Sequence, residues 1–378
     1  MDSLPEELLL DIISLLDRGP PSDAKFFDEP DPLTLTSFRD HPLKALSRVS
    51  PRWRRIIKPM LFQHLKLRID VDDSPKTPWI PRSAPELQPF RSFLSAFKLP
   101  AHVKTFVVCA FGELYDRPAA ANNTLSNDFW TMIFEFFDPQ SIKIAASPAV
   151  LALLAGSSGN YEHSWAFEQS HHVLELRQNL HSTYDRFPNG LRNPYGLMVR
   201  RRWCHIGYNE GSSLPVYNLF AYQHYMSPCV LRHILMQVNW DTNSATSFAY
   251  VAIFPTSENL LLLARHLTLI PKHCSMVFQL APEPTSTILH EPDRMRRAQP
   301  ADLWVELDRG YELLTGSILH HKLQLSVKSR DYRWNALVET LDDDGHLGSL
   351  KRHGWSKIDD SEWVPDLSQE HGPVSAVC

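Results

Sequence analysis

Residues 4–16, LPEELLLDIISLL, place Leu4, Leu8, Leu9, Ile12, Ile13, Leu15 and Leu16 over roughly half of a helix circumference at about 100° per residue. Glu7, Asp11 and Ser14 take the other side, with Leu10 among them. Ser3 and Glu6 have capping-box spacing, and Pro5 falls in the first turn, where a missing N–H is harmless. A stripe that wide asks for cover on two sides, from this chain and from a second one; an N-terminal core helix is the plainer reading. Leu43, Leu46 and Val49 recur at helical spacing. Ser50-Pro51 then reads as a cap followed by proline at the first helical position. Trp53, Ile56, Ile57 and Met60 follow at i, i+3, i+4, i+7, with Pro59 expected to end or kink the helix. Residues 18–41 between these helices are rich in Pro and Asp and read as a loop.

Past residue 70 the rhythm changes. Prolines 75, 78, 81, 85 and 89 mark residues 70–100 as an extended linker. Apolar runs at 102–110, 141–146, 247–254 and 275–280 predict buried strands, and 323–328 alternates like a half-exposed one. Helical patterns at 129–137, 149–154, 228–236, 258–269, 301–319 and 332–341 lie between them. The alternation predicts an α/β body over 101–363 with a largely parallel sheet, followed by a tail at 364–378. An irregular, curved stack of strand–helix units is the first expectation, a degenerate form of a leucine-rich-repeat array; an open α/β sandwich is the second.

The N-terminal residues resemble an F-box. The resemblance rests on Leu4-Pro5-Glu6-Glu7-Leu8, then Ile12 and Leu16, then Leu46, Val49-Ser50, Trp53-Arg54 and Leu61-Phe62, in order. It covers residues 1–69, and the 18–41 insert sets Leu16 and Val49 further apart than the family pattern does. More diffusely, the body resembles the C-terminal half of fungal F-box proteins, above all at EPDRMRRAQPADLWVELDRGYELL, residues 291–314. The resemblance implies a substrate-recognition subunit of a cullin-type ubiquitin ligase, with no catalytic residues of its own. Its F-box would bind a Skp-type adaptor, and through it a cullin, and its body would hold a protein target. Leu4, Pro5, Leu8, Leu9, Ile13, Leu46, Val49 and Trp53 are the candidate adaptor contacts. Sequence alone does not sort those that face the adaptor from those that face the module's own core.

Composition narrows the alternatives. Hydrophobic residues make up 43% and charged residues 21%, ordinary for a globular chain, and a net charge of −5 gives no global pull toward nucleic acid or anionic membrane. Five scattered cysteines fit a reducing compartment, cytoplasm or nucleus, better than a disulfide framework. The apolar start is interrupted by Asp11 and preceded by acid, unlike a secretory signal, and no run reaches the length of a membrane span. Eighteen histidines raise the question of a metal, yet His171-His172, His320-His321 and Cys204-His205 lack ligand spacing. The run Asp342-Asp343-Asp344 lacks the alternation of a calcium loop and reads as a helix-ending loop. No nucleophile elbow or phosphate-binding glycine loop is present: 156–159, GSSG, has the wrong spacing. No cofactor is expected. Two basic clusters, Arg52–Arg55 with Lys58 and Arg200–Arg202 beside Trp203, keep a DNA-associated regulator as one alternative function. The second cluster reads as a solvated turn or a site for an acidic partner. An unrecognised enzyme in the body is the other alternative.

Overall fold

The structure is a computed structural model that describes residues 4–17, 19–37, 41–71, 87–112, 119–157, 171–179, 197–225, 227–238, 245–271, 274–320, 326–342 and 345–366. The chain is mixed α/β and its described residues form two compact units, one within 1–158 and 170–201, the other within 202–378. The division falls inside the expected 101–363 body.

The first unit begins with four helices, α1 (Glu6–Ser14), α2 (Pro21–Ala24), α3 (Pro42–Leu46) and α4 (Pro51–Leu61). Leu9 and Ile13 of α1, Leu43 of α3, and Trp53, Ile56 and Ile57 of α4 close a small core, edged by Leu4, Leu46, Met60 and Leu61. Ser50 caps α4 by accepting the Trp53 N–H. Pro59 does not end that helix, which runs on to Leu61. Only its last turn lies beyond the proline, so a single backbone bond, the one to the Arg55 carbonyl, is forgone.

Strand β1 (His64–Asp70) follows almost at once, then α5 (Leu87–Ala96), β2 (Thr105–Phe111), α6 (Ala119–Phe136), β3 (Ser141–Ala146), α7 (Pro148–Ala155) and β4 (His172–Arg177). Residues 87–96, expected in the linker, are helical and bury Leu94; prolines 75, 78, 81 and 85 lie outside the described residues. β1, β2 and β3 pair in parallel, and β4 joins β3 antiparallel. One helical face of this sheet is covered through Phe106, whose ring meets Phe137 at 4.9 Å. Behind it, Trp130 Nε1 and Ser126 Oγ both donate to the Leu154 carbonyl, at 2.6 and 2.9 Å, and lock α6 to α7. Gly156 closes α7 in the left-handed conformation, φ +68°.

The opposite face is covered by the insert. Register aligns Lys66, Val107, Lys143 and Glu175 in one row across the four strands. Above it, the insert folds into α2, a 3₁₀ turn at Lys25–Phe27 and a further turn that buries Phe26 and Leu35. Lys66 Nζ donates to the Pro32 carbonyl at 2.9 Å. Lys143, wholly buried, lies 2.5 Å from Asp23 and 3.0 Å from Glu175. Arg177 completes the cluster with Asp23 and Glu175. The stretch read as a loop is therefore a docked cap: composition reports turn chemistry, but the ammonium that the insert neutralises lies more than a hundred residues away.

The second unit holds β5 (His205–Ser212), α8 (Leu214–Tyr217), α9 (Leu231–Gln237), β6 (Ser247–Ile253), α10 (Ser257–His266), β7 (Ser275–Gln279), α11 (Pro292–Met295), α12 (Pro300–His320), β8 (Ser326–Ser329), α13 (Asn335–Leu341), α14 (Gly348–Arg352), β9 (Trp355–Lys357) and β10 (Glu362–Pro365). β5 to β8 are parallel neighbours in chain order; β10 adds antiparallel to β8, and β9 to β10. Tyr208, Tyr250 and Phe278 align in one buried row, and Tyr311 of α12 stacks on Phe278 at 5.8 Å. Gly310 lets α12 approach α10, since a Cβ there would meet Leu260 Cδ1 at 2.2 Å. Beyond β7, the buried Asp331 carboxylate accepts the Leu280 and Ala281 N–H groups, each at 2.9 Å, and the Tyr311 hydroxyl. Burial pushes its pKa up to about 6, against those hydrogen bonds. Asp342 ends α13 and pairs with Lys357 at 2.7 Å. Trp240-Asp241, Asp343-Asp344, His321 and the tail from 367 lie outside the described residues.

Two substitutions test these anchors. Asp331→Ala orphans three buried donors and is expected to cost about 3 kcal/mol in urea unfolding. Asp23→Ala strips an anion from a buried ammonium; because Asp23 is a third exposed, the expected loss is about 2 kcal/mol. Limited proteolysis should then cut faster within residues 20–37.

Candidate functional site

Helix α1 is divided lengthwise. Leu9 and Ile13 are 1% and 0% exposed, inside the module's core. Leu8, Ile12 and Leu15, at i, i+4 and i+7, are 50%, 48% and 85% exposed, and Leu16 beside them is also open. At about 100° per residue these form one apolar stripe that adjoins the buried one. The wide stripe seen in sequence thus resolves into two narrower ones, and only one is satisfied by the described residues of this chain.

The position of α1 is held from α4. Arg52 Nη2 donates to the Leu4 carbonyl at 2.7 Å, and Arg55 lies 3.5 Å from Glu6 at the helix start. No side chain caps the helix at Pro5; Ser3 lies outside the described residues. Glu6 and Glu7 sit in the first turn, where the helix dipole favours acid. The eight candidate contacts separate accordingly. Leu9, Ile13 and Trp53 are buried in the core. Leu4 and Leu46 are half-buried at its edge. Pro5, Leu8 and Val49 are exposed, Val49 at 66%. Ile12, Leu15 and Leu16 belong to the open stripe but were not among the candidates. The sequence signal for them was the second half of the same apolar arc, next to the half that the core consumes.

The basic clusters are engaged within the fold. In the first, Arg52 and Arg55 hold α1, Arg54 Nε donates to the Ser47 carbonyl at 3.1 Å, and Lys58 lies over the Phe97 ring. In the second, Arg200 Nη2 donates to the Asn127 carbonyl at 2.7 Å and to Thr131 Oγ1 at 2.8 Å. Arg201 pairs with Asp138, donates to Gln178 Oε1 at 3.0 Å and stacks on Phe134. Trp203 is buried. The expected solvated turn is instead a strut between α6 and the chain that follows β4. The guanidiniums of Arg200 and Arg201 are held by oxygens of Asn127, Thr131, Asp138 and Gln178 and by the Phe134 ring, while Arg202 is exposed.

Among the described residues no group of three His, Cys, Asp or Glu side chains could hold a metal ion, and no helix is long and apolar enough to cross a membrane. His172 is buried and its pKa is driven down to about 3, so it is a neutral core residue. His205 Nδ1 lies 3.0 Å from Ser247 Oγ of the neighbouring strand. Cys109, Cys204, Cys229 and Cys274 are free thiols.

The two stripes of α1 should respond differently to substitution. Ile13→Ala removes core volume and is expected to cost about 3 kcal/mol. Leu15→Ser is expected to change stability by less than about 0.5 kcal/mol. Chemical denaturation followed by tryptophan fluorescence reads both, since Trp53 shares the core with Ile13. In comparison with known proteins, no family model matches the chain, and no curated protein or solved structure is significantly similar to it.

Proposed function

We propose that the protein is a non-catalytic substrate receptor of a cullin-type ubiquitin ligase, docking a Skp-type adaptor through the open stripe of α1. The observation that carries this reading is the coincidence of two features at one place. The ordered F-box-like residues run from Leu4 to Phe62, and the helix that opens them keeps Leu8, Ile12, Leu15 and Leu16 out of its own core. An amphipathic helix with anchors at i, i+4, i+7 is a standard way of filling an apolar groove on a partner. Leu9, Ile13 and Trp53 then act indirectly, by fixing the angle at which the stripe is shown. Pro5 and Val49 are exposed apolar residues of the same module and extend the proposed contact.

The remainder serves as the target-binding body. Strands β1 to β4 in the first unit and β5 to β8 in the second each lie beside their predecessor, and the parallel neighbours are joined by helical connections. This order suits a degenerate leucine-rich-repeat-like stack. The function of such a receptor is proximity: it holds a target so that transfer to a target lysine becomes effectively unimolecular, while other subunits supply the catalytic groups. A receptor of this class works in the cytoplasm or nucleus, where four free thiols are chemically at home.

Recovery of a purified Skp-type adaptor on the immobilised full chain tests the reading. Replacing Leu8, Ile12 and Leu15 together by Ser removes about 1 kcal/mol of apolar burial at each position, so affinity is expected to fall about a hundredfold. No adaptor recovered on the unaltered chain, or equal recovery on the triple variant, rules the reading out.

A further inference from the structure

The second unit contains a cavity of about 170 Å³ beside the carboxyl end of β5. In parallel α/β sheets this is the end at which ligands bind. The register between β5 and β6 shifts between Asn209 and Ser212, and Gly211 turns the chain at φ +71°. Such irregularities re-aim side chains. Glu210, within the shift, is 5% exposed and lines the cavity.

The polar groups around Glu210 are arranged as donors. Cys229 Sγ donates to Oε1, Tyr250 OH donates to Oε2 at 3.0 Å, and Asn259 Nδ2 donates to Oε2 at 3.1 Å. This is an environment built for a carboxylate, yet among the described residues no cation pairs with it. Burial without a counter-charge pushes the Glu210 pKa up to about 7. Asn259, also 5% exposed and lining the cavity, keeps Oδ1 without a hydrogen-bond partner among the described residues. His266 lines the same space. Its Nδ1 lies 2.8 Å from the Leu262 carbonyl, which can only accept, so Nδ1 is the donor there. Leu231, Leu235, Leu262 and Leu263 supply the apolar walls.

Glu210 therefore lacks a counter-cation and Asn259 Oδ1 lacks a donor among the described residues, and the cavity beside them has aliphatic walls. The geometry points to a binding site for a small aliphatic primary ammonium ligand, its nitrogen donating to Glu210 and Asn259 Oδ1 and its alkyl part lying against the leucines. The volume resembles the ~150 Å³ engineered cavity that admits benzene, so about six heavy atoms fit. Arg232 also lines the cavity, but it is exposed, so solvent screens its charge. The site is independent of the adaptor-docking stripe, which lies in the other unit.

Isothermal titration calorimetry of the full chain at pH 7.5 (roughly the point where Glu210 ionises and an alkylamine stays protonated) tests it with three branched aliphatic probes, the ammonium and the alcohol being equal in size and the carboxylate one atom larger. Isoamylammonium is expected to bind saturably; isoamyl alcohol and isovalerate are expected to bind at least about tenfold more weakly, because neither brings a cation to Glu210. Glu210→Gln keeps the shape and is expected to lower isoamylammonium affinity at least about tenfold, with circular dichroism confirming the fold. Absence of saturable isoamylammonium binding, or alcohol binding as tight as the amine, overturns the proposal without recourse to a variant. So does a folded Glu210→Gln protein that binds the amine unchanged.

Discussion

The Lys143 ammonium has no contact with solvent, and the first unit is arranged around that fact. Glu175, its register partner on β4, neutralises it from one side, and Asp23 of the insert neutralises it from the other. A buried charge left without such partners would cost several kcal/mol, so the insert is bound to the sheet by more than apolar contact. Arg177 balances the second carboxylate, leaving two cations and two anions in one cluster. Because the insert joins α1 to α3, the same cluster also limits where the helical module can sit on its own sheet. The continuation of α4 into β1, through Phe62 and Gln63, limits it from the other end: the Gln63 carbonyl accepts the N–H groups of Lys104 and Thr105, at 2.8 and 2.9 Å.

With both ends fixed, α1 can spend only part of its apolar surface internally. The small core takes Leu9 and Ile13, and Arg52 and Arg55 hold the helix start. Leu8, Ile12 and Leu15 are left as a row on an ordered helix, which is the form in which an amphipathic segment is read by a groove. Single exposed leucines are commonplace on protein surfaces; a stripe at helical spacing next to a sealed one is less so.

Two buried acids in the second unit show how similar chemistry serves different ends. Asp331 is satisfied by two backbone N–H groups and a tyrosine, and it joins the end of β7 to α12. Glu210 is satisfied by three side chains and stands beside open space. The first carboxylate is consumed by the fold. The second is held in an accessible cavity with an unpaired amide oxygen next to it, which is a poor arrangement for stability alone.

Local pattern was enough for the elements whose partners lie nearby in sequence or whose burial is complete. The strand at 141–146 and the helix near 148–155 follow from short, mainly apolar runs, and the helix near 300–320 from apolar residues at helical spacing. The Ser50-Pro51 cap is a local hydrogen bond and was legible as such. Strand β5, HIGYNEGS, was not legible, because its buried Asn209 and Glu210 contradict strand propensity and are tolerated only through Gly211, Cys229, Tyr250 and Asn259. β1 was hidden behind the helix that runs into it. The sequence by itself determined that α1 has an apolar arc too wide for one small core. Which half of that arc is sealed, that residues 20–37 cap a sheet, and that Glu210 meets a cavity were decided by tertiary structure, because each depends on contacts between residues far apart in the chain, which no local periodicity encodes.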